Sequence, residues 1–286
     1  MKLKSKITLV TGASQGLGKA IASAFVKEGA HVAICARDSK LVEIVANELR
    51  TRATDDQKVF ATACDVSAAD QVERLFSDIS AHLGPVEILV NNAGVYGPKG
   101  QSECVTFAEW ARAIEINVYG TFLPCQFGIQ HMKRVGRGKI INLSGGGATA
   151  PLPRISAYAA SKAAVVRLTE TLAEELREFS IDVNAIAPGP LNTRLLEDVL
   201  SAGPDAVGKA FYEKSLKQRD SGGVPLEKAA SLCVYLAAET SDGVTGKLIS
   251  AQWDPWENLH EFRAQLAKSD VYTLRRIVPE DRGLKW

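Results

Sequence analysis

Short runs rich in valine and isoleucine recur along the chain, and longer stretches with helical spacing separate them. That alternation is how a parallel sheet with crossover helices appears in a sequence. The runs are Ile7–Val10, His31–Cys35, Lys58–Cys64, Val86–Val90, Lys139–Ser144, Ile181–Ala187 and Lys247–Ser250. Seven such strands with helices between them predict an α/β fold, a doubly wound parallel seven-stranded sheet.

The intervening segments carry helix signals. In the stretch from Gly18 to Ala30, residues Ala20, Ile21, Ala24 and Phe25 form one apolar stripe and Gly29 stops the run. Further on, Val165, Leu168, Leu172 and Leu176 keep a similar spacing, as core or subunit contacts. The segment 195–225, with Gly203-Pro204 and Gly222-Gly223, interrupts the alternation and reads as an inserted, mobile excursion. No linker or repeat stands out, so residues 1–252 are expected to form one domain, with 253–286 as a C-terminal extension.

Composition narrows the function classes. The 286 residues are 46% hydrophobic and 23% charged, as in a soluble globular protein, and a net charge of +1 offers no general attraction for nucleic acid or membrane. Five scattered cysteines with no C-x-x-C pair read as reduced thiols, and the four histidines show no ligand spacing, so no metal is expected. No apolar segment is long enough for a signal peptide or a membrane span, which makes the cytoplasm the default.

Two local patterns carry chemistry. After the first strand, Gly12, Gly16 and Gly18 lead into a helix; such glycines let the backbone approach a pyrophosphate, whose charge is met by the free N–H groups at the helix start. In the run Ser156–Ala164, Tyr158 and Lys162 stand four residues apart, one turn along a helix face. A free tyrosine, with a pKa of about 10, is a weak acid at neutral pH, and a neighbouring ammonium lowers that value.

The glycine spacing is T-G-x-x-x-G-x-G, and here the chain resembles the short-chain dehydrogenase/reductase family. The segment Asn91–Gly94, Asn117, Tyr158 with Lys162, and Pro188–Thr193 match that family in order, over about residues 5 to 250. The resemblance implies a Rossmann-type domain that interconverts an alcohol and a carbonyl by hydride transfer. It makes Tyr158 the general acid/base, Lys162 its electrostatic partner and Asn117 the holder of a proton-relaying water.

The same resemblance assigns the dinucleotide to Gly12, Ser14, Gln15, Gly16, Leu17, Gly18, Asp65, Val66, Asn91, Ala93, Gly94, Tyr158, Lys162, Pro188, Gly189 and Thr193. At the end of the second strand the place of the family's ribose-reading acid falls on Ala36 and that of an arginine on Arg37, which implies NADP, with NAD possible should Asp38 read the hydroxyl. Relatives pair the helices carrying Asn117 and Tyr158 across subunits, which implies a homodimer or homotetramer with a small carbonyl or alcohol as substrate. Selectivity would reside in the loops 96–106, 145–156 and 191–224.

The chain departs from the family's pattern at two places. The family's serine falls thirteen residues before the tyrosine, where this chain has Gly145. Ser144 is the expected polariser of the substrate oxygen; Thr149, Ser156 and a backbone N–H are the alternatives, and a dinucleotide-binding sensor with impaired chemistry is the alternative for the whole protein. After the last strand the chain adds a tail in which Trp253, Trp256, Leu259, Phe262 and Leu266 are expected to pack on the same or a neighbouring subunit. The other reading of the tail is recognition of an anion by Arg275, Arg276, Arg282 and Lys285.

Overall fold

The structure, a computed structural model, describes residues 1–285. The seven strands are β1 (Ile7–Thr11), β2 (His31–Ala36), β3 (Val59–Ala63), β4 (Ile88–Asn91), β5 (Gly138–Leu143), β6 (Ile181–Ala187) and β7 (Leu248–Ser250). They form one parallel sheet in the order β3-β2-β1-β4-β5-β6-β7. Every expected strand is present, and the sheet is doubly wound.

Among the described residues there are ten α-helices: α1 (Gly16–Lys27), α2 (Ser39–Arg50), α3 (Ala69–His82), α4 (Phe107–Ile114), α5 (Gly120–Val135), α6 (Ser156–Glu175), α7 (Arg194–Val207), α8 (Lys209–Asp220), α9 (Leu226–Ala237) and α10 (Arg263–Ala267). Successive strand residues feed opposite layers, as the pleat requires. Val10 and Ile34 enter a core with Ile21 and Phe25 of α1, Val45 of α2 and Leu232 of α9. Leu9 and Ala33 enter a second core with Phe76 of α3, Met132 of α5 and Leu172 of α6.

In α1 the buried stripe is Leu17, Ile21, Ala22, Phe25 and Val26, one position off the expected Ala20 and Ala24, which are only partly buried. Helix α4 runs into α5 through a π-helical turn, Glu115–Tyr119, that carries Asn117.

The segment expected to be an inserted, mobile excursion is mostly helical, as α7 and α8. Its glycines and proline lie at helix boundaries: Gly203 (φ +78°) precedes Pro204 at a kink within α7, and Gly208 (φ +84°) separates α7 from α8. Glycine adopts such angles without steric cost, so what reads as a loop signal marks a bend here.

The tail returns onto its own chain. Trp256, Leu259 and Leu266 join the same core as α1 and α9, and the Trp256 indole N–H donates to Ala251 O at 3.2 Å. Trp253 and Phe262, expected to be packed, are exposed on this chain, at 77% and 49%. Beyond α10 the chain runs along the outer margin of β7, where Leu248 N donates to Tyr272 O at 2.8 Å. Ser250 N donates to Asp254 Oδ2 at 2.6 Å.

Candidate active site

The sheet order reverses between β1 and β4, which opens a crevice at the C-terminal ends of these two strands. Both edges of the crevice are tied together. Thr11 Oγ1, at the end of β1, accepts hydrogen bonds from Asn92 N (3.0 Å) and Ala93 N (3.1 Å), and Asn92 Nδ2 donates to Thr11 O and Gly12 O. Gly12 (φ +63°) lies so close that an added Cβ would stand 2.7 Å from Ala93 Cα. Thr11 and Asn92 stand within the matched motifs, but sequence alone gives them no role, since their pairing exists only once β1 and β4 are neighbours.

Over this crevice the start of α1 presents unfilled backbone donors. Its cap residue Gln15 makes no side-chain capping bond and the first turn holds no acid, so the N–H groups and positive end of the helix are left for an anion. Ser14 and Gly16 are part-exposed on that turn, whereas Leu17 and Gly18 are buried beneath it. Thr193, at the head of α7, faces Gly16 from across the cleft, its methyl 3.5 Å from where a Cβ would lie. Beside Gly189 (φ +92°) the enclosed Gln252 Oε1 has no hydrogen-bond partner among the described residues.

Arg37, just past β2, is exposed. Asp38 is engaged otherwise: its Oδ1 caps α2, accepting from Lys40 N and Leu41 N at 3.0 Å each. Asp65 Oδ1 accepts from Ser67 N and Oγ, and Oδ2 from Arg112. Burial would raise the Asp65 carboxyl, but these bonds and the guanidinium charge more than offset it and hold it below its ordinary value. Val66 is buried against Gly120 of α5. The Asn91 side chain turns into the sheet, donating to Asn142 Oδ1 at 2.9 Å, which leaves only its backbone near the crevice.

Helix α6 brings Tyr158 and Lys162 to the same end of the sheet. They share the buried face of the helix with Ser161, Val165, Val166 and Thr169, a 3.6-residue stripe laid on the sheet. Tyr158 is 8% exposed and Lys162 5%. Ser156 fixes the start of the helix by accepting from the Trp110 indole N–H of α4 at 3.2 Å. Lys162 Nζ donates to Leu143 O at 2.6 Å and lies 5.6 Å from the centre of the Tyr158 ring.

The expected lowering of the phenol by the ammonium is not what this arrangement produces. Burial pushes the Tyr158 phenol up, with a smaller contribution from Tyr96, and burial pulls the Lys162 ammonium down to about 8. Desolvation opposes charge on both groups, which outweighs their mutual attraction in the protein alone.

Asn117 and Ser144 use their side chains on the scaffold. Asn117 Oδ1 accepts from Val95 N, while Nδ2 donates to Val95 O and Ser161 Oγ, so its amide clamps the loop after β4 to the π-helical turn. Gly94 lies between Asn117 and Lys162; a Cβ there would be 3.3 Å from Asn117 Oδ1 and 3.5 Å from Lys162 Nζ. Ser144 Oγ donates to Lys162 O at 3.4 Å, toward the α6 backbone. A Cβ built on Gly145 would collide with the Tyr158 hydroxyl. Thr149 is exposed on the loop beyond.

Among the described residues no helix is long and apolar enough to cross a membrane. The short chain dehydrogenase family model matches residues 6–202. A short-chain type dehydrogenase/reductase of Picea abies is 34% identical over 252 residues, covering 86% of this chain and 91% of that protein. An NADP-dependent (R)-specific alcohol dehydrogenase of Lentilactobacillus kefiri is 34% identical over 253 residues, covering 86% and 94%. Among solved structures, a point variant of actinorhodin polyketide ketoreductase with NADPH superposes with a TM-score of 0.78 at 29% identity, over 86% of this chain and 95% of that one.

Proposed function

The chain belongs to the short-chain dehydrogenase/reductase family of NAD(P)-dependent oxidoreductases, and from that premise we propose that it is an NADP(H)-preferring enzyme that interconverts a small carbonyl and an alcohol, with Tyr158 as general acid/base. The observation that carries this reading is the placement of Tyr158 and Lys162 together on the buried face of α6, at the crevice edge formed by Gly94. The dinucleotide, when bound, supplies or accepts the hydride.

The residues present fit such a cofactor. The uncapped start of α1 and the close-set glycines Gly12 and Gly16 suit a pyrophosphate. Arg37 is free to meet a 2′-phosphate, and the capping role of Asp38 counts against its reading a 2′-hydroxyl. Asp65 and Val66 would border the adenine, and Pro188, Gly189 and Thr193 the nicotinamide side.

A phenol held protonated by burial is in the form that gives a proton to a developing alkoxide. Lys162 acts as its electrostatic partner, and Asn117 and Ser144 act by fixing the loop and the α6 backbone around it. The assembly proposed is a homodimer or homotetramer in the cytoplasm. Its support is the exposed apolar surface of Phe107, Tyr119 and Phe122 around the helices that carry Asn117.

The experiment is to mix the protein with NADPH or NADH and a panel of aldehydes and ketones, following nicotinamide absorbance. Oxidation of NADPH in preference to NADH is the expected result. NADPH binding without oxidation by any carbonyl would sink the enzyme reading in favour of a dinucleotide sensor, and a strong preference for NADH would sink the assignment of Arg37.

A further inference from the structure

Two tyrosines share the cleft. Tyr96, on the loop after β4, has its ring centroid 4.5 Å from that of Tyr158, with the planes tilted by 58°. Its neighbours on both sides are fixed. Val95 exchanges two hydrogen bonds with the Asn117 amide, at 2.9 and 2.8 Å. Gly97 (φ +71°) lies so close to α4 that an added Cβ would stand 2.5 Å from Ala113 Cβ. Tyr96 is therefore delivered to the cleft by a preset frame, as a group that stabilises developing charge must be.

Neither phenol oxygen has a hydrogen-bond partner among the described residues. Neither is sealed in, unlike the enclosed and unpartnered Asn91 Oδ1 and Gln252 Oε1. The Tyr158 hydroxyl lies where Gly145 offers no side chain, and the Tyr96 ring packs beside that of Tyr158. Of the other hydroxyls, Ser144 donates to Lys162 O, Thr149 is exposed, and Ser156 Oγ is held at the start of α6 by the Trp110 indole N–H that it accepts.

We propose that Tyr96 is a further catalytic residue, whose O–H donates a hydrogen bond to the substrate oxygen and so supplies the polarisation that position 145 cannot. The inference rests on the reading of Tyr158 as the proton donor. As a hydride passes from the reduced nicotinamide to the carbonyl carbon, the π electrons of the C=O bond move to oxygen. Tyr158 hands its proton to that oxygen, while Tyr96 keeps its own and stabilises the charge as it forms. Burial holds the Tyr96 phenol above its ordinary value, which preserves it as a donor at neutral pH.

The test compares Tyr96→Phe and Tyr158→Phe with the unsubstituted chain, using NADPH with 1,2-diketones and ring-substituted acetophenones as probes. Phenylalanine keeps the ring, so a packing role would survive the change. Tyr96→Phe is expected to lower kcat at least about tenfold, within the range for loss of one oxyanion donor, while the Kd for NADPH stays within about twofold, no more than a few tenths of a kcal/mol.

The loss should shrink for strongly activated trifluoromethyl ketones. In the unreactive complex with NADP and carbonyl-¹³C acetophenone, the carbonyl resonance should move upfield relative to the unsubstituted chain. Undiminished kcat, or a fall in kcat without that spectral change, would overturn the role of Tyr96 even with Tyr158→Phe inactive. Normal turnover by Tyr158→Phe, or inertness of the unsubstituted chain toward every probe, would instead overturn the underlying reading.

Discussion

The hydroxyl of Tyr158 occupies the space that a side chain on residue 145 would need, and Gly145 is what leaves that space open. A methyl group there must push the phenol aside, and the contact falls on the tip of the side chain and not on backbone. Gly145→Ala is therefore expected to leave the thermal midpoint within a few degrees, equivalent to about 1 kcal/mol or less. Turnover should fall about tenfold or more as the proposed proton donor leaves its place. Parallel melting curves and steady-state rates check both halves; unchanged turnover would mean that the phenol works from another position.

Removing the proposed donor outright should be more severe. Tyr158→Phe should cost roughly 10² to 10⁴ in kcat, the span of general acid–base catalysis. NADPH affinity, measured by fluorescence titration, should change little, because the contacts proposed for the phosphates, at the glycine-rich turn and Arg37, do not involve this hydroxyl. Retention of even a tenth of the activity would argue that another group gives the proton.

Lys162 gives a pH signature. Its buried ammonium titrates near 8 in the folded chain, below the value of about 10.4 for an exposed lysine. Between those two values the unfolded state binds the extra proton, so the contribution of this group to stability rises with pH through that window and is flat below it. The stability difference between the unsubstituted chain and Lys162→Met, followed by urea unfolding from about pH 7 to 10.5, should therefore move in favour of the unsubstituted chain as pH increases. A difference independent of pH would place the Lys162 titration outside this range.

Cofactor choice can be tested at the end of β2. Arg37→Ala is expected to raise the KM for NADPH about 10- to 100-fold, the equivalent of about 1.5 to 3 kcal/mol for a lost hydrogen bond to a charged group. The KM for NADH should stay nearly constant. Equal losses with both cofactors would point to a structural role for the guanidinium.

The tail is expected to matter for stability before chemistry. Trp256 is buried against Tyr235 of α9, with ring centroids 5.8 Å apart. Trp256→Ala should cost about 3 to 5 kcal/mol, as for other buried aromatics cut to alanine. Denaturant midpoints measure this loss, and activity per folded molecule at low temperature should be preserved.

The strands were legible because buried parallel strands must be runs of Val and Ile, and so was the Tyr158–Lys162 pair, because helical spacing is a local property. What sequence could not supply was whatever depends on strands distant in the chain becoming neighbours. Thr11 and Asn92 bond only after β1 and β4 pair. Tyr96 meets Tyr158 only after α6 folds across the loop that follows β4. Gly203 and Pro204 are loop formers by local rules, yet flanking apolar residues such as Leu196, Val199 and Val207 are buried on helices on either side of the bend. The tail's Trp253 and Trp256 look equivalent in sequence, but only Trp256 finds Tyr235 beneath it.

The outward-facing amides of β7 are both spoken for, Leu248 by the carbonyl of Tyr272 and Ser250 by the carboxylate of Asp254. A second molecule therefore finds no open row of donors along that border with which to lengthen the sheet. Extending the sheet past β7 would first require peeling the tail from this border, so the segment that follows the last strand acts as its selvage.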